Sequence, residues 1–205
     1  MPRSRFNWLA VPIVCLAASA LVLGACSSGD SDPTTTTADA ATESGSTAST
    51  DEMEEQEQEF TASSPNFNDG EAIPSEFTCD GANSQPGIEW ENAPSEATEL
   101  VLIVDDPDAP NGSFIHWVIW GLQPDGSISE GSVPSGAIEG TNGTSATPWF
   151  GPCPPPGGVH NYEFQLTAVS AAPNIAPGAA AEEVRSAIAD SSVGETMLVG
   201  TYERT

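Results

Sequence analysis

The sequence contains no lysine. Its cations are four arginines and two histidines, set against 30 carboxylates, for a formal net charge of −26 in 205 residues. Arg3 and Arg5 lie at the N-terminus, so Arg185 and Arg204 are the only formal cations after residue 59. A surface so poor in positive charge repels polyphosphate chains and anionic headgroups, which excludes nucleic acid as a partner. The same charge serves solubility or a salty habitat without any specific basic partner. Cys-x-x-Cys spacing is absent, which argues against a structural metal site, and no cofactor is expected. Long apolar runs are scarce too: the single one, residues 9–23, is too short for a membrane span.

What is present begins with a secretory layout. Arg3 and Arg5 make a positive n-region, Leu9 to Leu23 an apolar h-region, and the run closes on Leu23-Gly24-Ala25-Cys26. That ending resembles the bacterial lipobox, at which the cysteine is lipidated and becomes the mature N-terminus. Residues 1–25 are therefore read as a lipoprotein signal peptide and Cys26 as the lipidation site. The alternative is an ordinary signal peptide that contains a cysteine. From Ser27 to Glu59 the chain has no aromatic and no basic residue, and ten of its residues are acids. Such a segment cannot bury enough apolar surface to offset its ordering entropy. Residues 26–59 are predicted to be a disordered acidic linker, extended by its own repulsion. Bacterial lipoprotein processing would supply the several acyl chains that stable anchoring requires. The expected location is extracytoplasmic, on the cell membrane.

Residues 60–205 are a normal size for one domain. Cys79 and Cys153 are the two cysteines in it. An even pair outside the cytoplasm suggests a disulfide, worth about 4 kcal/mol for a loop of this size, with two buried thiols as the alternative.

Leu100-Val101-Leu102-Ile103-Val104 is a short apolar run bounded by acids, which predicts a strand buried on both faces. Ile115 to Gly121 places His116, Val118 and Trp120 on one face, and Ile115, Trp117 and Ile119 on the other. Tyr162, Phe164, Leu166 and Ala168 share a core face, and Met197 to Tyr202 is the expected last strand. Residues 179–190 predict one helix with Val184, Ala187 and Ile188 along its apolar stripe. Asn66–Trp90 and Pro124–Phe150 read as loop. Many short strands with one short peripheral helix make the fold class mainly β, an antiparallel β-sandwich.

The chemistry concentrates around the two histidines. His116 follows Asp105-Asp106-Pro107-Asp108-Ala109-Pro110, where prolines stiffen both sides of Asp108 and a cis X-Pro bond is plausible. His160 follows Gly151-Pro152-Cys153-Pro154-Pro155-Pro156-Gly157-Gly158. If the two strands are neighbours, both imidazoles and Tyr162 line one pocket with Asp106 and Asp108. Acids bonded to imidazoles should raise the histidine pKa values and favour the cationic form, producing a small anion site.

These motifs, with Phe77-Thr78-Cys79-Asp80-Gly81-Ala82-Asn83, Glu139-Gly140-Thr141-Asn142-Gly143 and Gly200-Thr201-Tyr202-Glu203-Arg204, resemble the phosphatidylethanolamine-binding protein family, in its bacterial Raf-kinase-inhibitor-like branch. The resemblance runs in order from about Phe60 to Thr205. It implies a Greek-key β-sandwich with a small pocket for phosphate-like or acetate-like anions. By motif position, Asp106 and Asp108 would be the pocket acids and His116 and His160 the imidazoles. Tyr162 would be the aromatic wall, and Pro154 and Pro155 the rim. The chain departs from the family at Asn161, where Arg is usual, at Trp149-Phe150, where Tyr is usual, and over Thr144 to Pro148. It also ends at its last strand, without the C-terminal helix that covers the pocket in eukaryotic members. These departures bear on affinity for phospholipid headgroups.

The expected function is a membrane-tethered binding module for a small anionic ligand or lipid headgroup. The alternative is an inhibitor of an exported peptidase or another envelope protein. Catalysis ranks third, because no Ser or Cys stands in a recognisable nucleophile setting.

Overall fold

The computed structural model describes residues 58–205. The stretches read above as signal peptide, lipidation site and linker, as far as residue 57, lie outside the described residues. Within them, every sheet pairing is antiparallel.

One sheet has three strands, β1 (Thr61–Ser63), β2 (Ile88–Glu91) and β5 (Ser127–Ile128), in the order β1-β2-β5. The other has five: β3 (Glu99–Asp106), β4 (Phe114–Leu122), β6 (Ile138–Glu139), β7 (Val159–Val169) and β8 (Ser192–Glu203), in the order β6-β4-β3-β7-β8. The larger sheet is built around two antiparallel pairs, β3–β4 and β7–β8, joined edge to edge by β3 and β7. The expected mainly-β sandwich with one helix is what is found.

The central position of β3 explains its unbroken apolar run. Leu100, Leu102 and Val104 enter the core between the sheets, with Ile88 and Trp90 of β2 and Phe164 and Leu166 of β7. Val101 and Ile103 enter a second core on the far face. That face is covered by helix α1 (Ala181–Ile188), so a strand apolar on both sides leaves no surface in water. At roughly 25 cal/mol per Å² of apolar area, this burial stabilises the fold from both faces of the strand. Tyr162, Phe164, Leu166 and Ala168 of β7 all face the inter-sheet core, as their alternation predicts.

Three expectations are corrected. The helix is shorter than 179–190, and Ala187 is exposed while Ala181 joins Val184 and Ile188 in the buried stripe. At 100° per residue, Ala187 falls to the flank of the line through Ala181, Val184 and Ile188. The last strand begins at Ser192 rather than Met197, because β7 offers it a full-length partner. The spans read as loop also hold β2, β5 and β6, whose two to four residues are too few for a periodic signal.

The fourth correction positions the site. Val104 pairs with Trp117 and Asp105 with Ile115, so His116 is an extra residue, a β-bulge in β4. Simple alternation groups His116 with Val118 and Trp120. The bulge instead turns it to the side of Trp149 and Tyr162, while Ile115 joins Val118 and Trp120 against the helix side.

Candidate functional site

β4, β3 and β7 are neighbours, and their ends carry His116, Asp106 and His160 to one edge of the sandwich. There a cavity of about 340 Å³ is lined by both histidines, Asp106, Ala109, Pro110, Phe114, Thr144, Phe150, Cys153, Pro154 and Pro155. A volume of this order suits a small ligand.

Asp106 is the hub of the site. It is 4% exposed; one carboxylate oxygen accepts from the Asp108 N–H at 2.9 Å and the other from His160 Nδ1 at 2.7 Å. The first bond closes an Asx turn across Pro107. That turn gives the Asp-Pro-Asp loop its fixed shape with trans peptides throughout the described residues; the cis bond considered from sequence is absent.

Asp108 stands outside the cavity lining. Its carboxylate accepts from the Asn161 backbone at 2.9 Å and the Asn161 side chain at 2.8 Å, and these bonds hold it below the usual carboxylate range. It ties the loop to the start of β7. Asn161 supplies the clasp.

His116 is 2% exposed, and its Nδ1 is hydrogen bonded to the Phe150 carbonyl. Phe150 N–H returns a bond to the His116 carbonyl at 3.0 Å. Phe114 and Tyr162 meet the ring edge-on, with centroids at 4.9 and 5.1 Å. Burial lowers the His116 pKa from 6.5, outweighing the Phe150 carbonyl and the charges of Asp106 and Asp105. The expectation of a raised pKa is therefore overturned for this residue: no acid bonds its ring, and desolvation wins.

Tyr162 lies behind His116 rather than on the cavity wall. It is fully buried, and its hydroxyl has no partner at hydrogen-bonding geometry although Asp106 is nearby. Burial first, and then the Asp106 charge, push the phenol far above its ordinary range.

The Pro154-Pro155 wall is braced from behind. Cys79 and Cys153 form a disulfide, with Cα atoms 5.4 Å apart across a separation of 74 residues. Alongside it, Cys79 N–H donates to the Pro152 carbonyl at 3.1 Å and Gly151 N–H to Asn83 Oδ1 at 2.8 Å. Gly151 has no alternative there, because a Cβ would sit 2.4 Å from the Phe77 carbonyl oxygen. Asp80, next to Cys79, receives both Arg204 and the Tyr202 hydroxyl, which lower its pKa. The three motifs around residues 80, 153 and 204 are one structure.

Sequence reasoning missed Phe114, Thr144 and Phe150 as lining residues. Buried Asn142 organises the turn that presents Thr144: its Oδ1 accepts from the Thr144 amide and hydroxyl, and its Nδ2 donates to the Pro148 carbonyl at 2.8 Å. Gly143 lets this turn lie against the Phe114 ring, where a Cβ would come within 2.5 Å. The Glu139–Gly143 motif was visible as a motif, but its purpose depends on a contact across the fold.

Neither arginine of the described residues reaches the cavity. Arg185 pairs with Asp105 at 3.1 Å on the helix side, and Arg204 with Asp80 at 3.0 Å. The lining's donors and acceptors come from imidazole, carboxylate, the Thr144 hydroxyl and backbone.

With this geometry in hand, the family is decided by a match over residues 63–203 to the model described as phosphatidylethanolamine-binding protein. The chain belongs to the phosphatidylethanolamine-binding protein family. It is 38% identical over 193 residues to a Mycobacterium tuberculosis protein that carries a lipoprotein name, LppC, covering 89% of this chain and 90% of that one. It is 42% identical to a UPF0098 protein of Methanothermobacter thermautotrophicus, over 67% of this chain and 95% of that one. Among solved structures, a phosphatidylethanolamine-binding protein homologue from Chlamydia trachomatis superposes with a TM-score of 0.68 at 31% identity, over 71% of this chain and 98% of that one. The Escherichia coli protein YbcL gives the same TM-score, 0.68, at 22% identity, and supports the fold.

Proposed function

We propose that this member of the phosphatidylethanolamine-binding protein family is a lipid-anchored, extracytoplasmic binding protein for a small anionic ligand. The observation that carries the reading is the convergence of His116, His160 and Asp106 on one cavity walled by prolines and phenylalanines. The backbone adds a donor: Cys153 N–H has no acceptor among the described residues, whereas the amides of Ala109, Thr144 and Phe150 are taken. Asp106 already accepts two hydrogen bonds, so its charge is partly offset before a ligand arrives.

Binding without catalysis is favoured by the state of the lining's nucleophile candidates. Cys153 is in the disulfide, and the Thr144 hydroxyl donates to Asn142 rather than to a histidine. The anchor rests on the Leu23-Gly24-Ala25-Cys26 run and on the lipoprotein name of the mycobacterial relative. Cys26→Ser should move the protein from the membrane fraction to the soluble fraction.

Calorimetric titration with phosphate or phosphoethanolamine tests the cavity. Wild type should bind, and His116→Ala and His160→Ala should lose at least about tenfold in affinity, as expected for removing a hydrogen-bonding partner of a charged group. Equal affinity in all three, with folding confirmed by circular dichroism, sinks the assignment.

A further inference from the structure

We propose that the cavity selects oxyanions that still carry a proton, phosphomonoesters in particular, over phosphodiesters and sulfate esters. This rests on the anion-binding reading above and specifies its ligand.

The reasoning starts from the Phe150 carbonyl. A carbonyl oxygen only accepts, so His116 Nδ1 must carry the hydrogen between them. In the neutral ring Nε2 is then a lone pair and an acceptor. The neighbouring groups decide whether a second proton is added. Asp106 and Asp105 on β3 favour it, His160 on β7 opposes it, and the Tyr162 phenol is a neutral neighbour. Burial at 2% exposure outweighs these charges. Asp108 is tied to Asn161 and Tyr202 to Asp80, and neither is among the groups that shift this ring.

The rest of the lining adds few donors. Pro110, Pro154 and Pro155 have no N–H, both arginines are held on aspartates elsewhere, and Asp106 is an acceptor. Among the lining residues, His116 thus offers an acceptor at Nε2, His160 Nδ1 is taken by Asp106, and the Cys153 amide is a donor with no acceptor among the described residues. A ligand oxygen facing His116 has to bring its own hydrogen. A phosphomonoester monoanion has one P–OH with charged oxygens beside it, and so satisfies both. A phosphodiester or a sulfate ester carries no hydrogen on any terminal oxygen, and would set lone pair against lone pair in a buried site. Leaving such an acceptor unpaired costs at least about tenfold in affinity.

The same asymmetry predicts proton linkage. A phosphomonoester loses its second proton near pH 6. Above that pH the protein must recruit the scarce monoanion, so affinity should fall about tenfold per pH unit and binding should take up close to one proton. The test is isothermal titration of the full chain with methyl phosphate, dimethyl phosphate, methyl sulfate and glycerophosphoethanolamine, from pH 6 to 8. Each titration is run in two buffers of different ionisation enthalpy. Methyl phosphate should bind with buffer-dependent heat, and the other three at least about tenfold more weakly at pH 6. Comparable affinity for dimethyl phosphate, methyl sulfate or glycerophosphoethanolamine overturns the proposal while leaving the anion site intact; the last would assign the site to a lipid headgroup. Methyl phosphate binding that is flat in pH and blind to the buffer also overturns it. Binding of none of the four removes the anion reading itself.

Discussion

At the scale of single residues, burial rather than charge pairing sets the chemistry of the site. His116 has a folded pKa below its value of 6.5 in an open chain. Above pH 6.5 both states are neutral there and stability is unaffected. As pH falls below 6.5 the unfolded chain takes up a proton that the native state resists, so stability drops until the folded pKa is passed. Urea denaturation between pH 7.5 and 5 should show this loss, and His116→Gln should reduce the slope. Tyr162 offers the complementary case. Its hydroxyl is buried without a partner, so Tyr162→Phe should be neutral or stabilising by up to about 1 kcal/mol. A loss larger than that would show the phenol donating to Asp106. Asp106→Ala has the opposite sign. It strands the Asp108 amide and His160 Nδ1, and should cost about 2–3 kcal/mol in the same urea experiment.

Among the elements, the wall from Trp149 to Pro155 owes its position to the segment Phe77–Asn83. Three hydrogen bonds and the disulfide join them, the third bond being Trp149 Nε1–H to the Phe77 carbonyl at 3.3 Å. Replacing Cys79 and Cys153 by serine should lower stability by about 4 kcal/mol, the chain-entropy value for a loop of this length. Thermal melting of the double variant, and of wild type with and without a thiol reductant, measures it. On α1, Val184→Ala should cost about 2 kcal/mol, because Val184 is fully buried, and Ala187→Glu should change stability by less than about 0.5 kcal/mol.

The elements also show how far a sequence can be read. β3 was legible because a strand covered on both faces leaves an unbroken apolar run, and β7 because its core face alternates without interruption. β5 and β6 were not, since two residues carry no period. The bulge at His116 had no local signal: nothing in Phe-Ile-His-Trp announces that one residue of β3 will face two of β4. Asp106, His116, His160 and the proline rim were named in advance because rare residue types recur in long motifs. Phe114, Thr144 and Phe150 were not, because they contribute through contacts made across the fold rather than through their type.

For the whole molecule, the decisive property is its charge. A net −26 with no lysine means that like charges repel over much of the surface. Screening should therefore stabilise the fold, and the melting temperature should rise between about 0.01 and 0.5 M sodium chloride as the Debye length shrinks. Both described arginines are engaged in ion pairs at the surface, bracing α1 against β3 and the end of the chain against the Cys79 loop. The proposed anion binding would therefore depend on local donors and protons instead of long-range positive potential.

Composition and motif order determined, without coordinates, the strongly acidic charge, the β-rich class, the family resemblance and the residues that make up the candidate site. These follow from quantities that are local or additive along a chain: charge, periodicity, and rare residues at fixed spacing. Only the tertiary structure decided that Cys79 reaches Cys153, that Asp108 clasps Asn161 outside the cavity, and that His116 is turned by a bulge into a buried setting that lowers its pKa. Each of those depends on which strand lies beside which, and on how much water is excluded once it does. The sequence suggested a raised pKa for His116; burial in the folded protein lowers it instead.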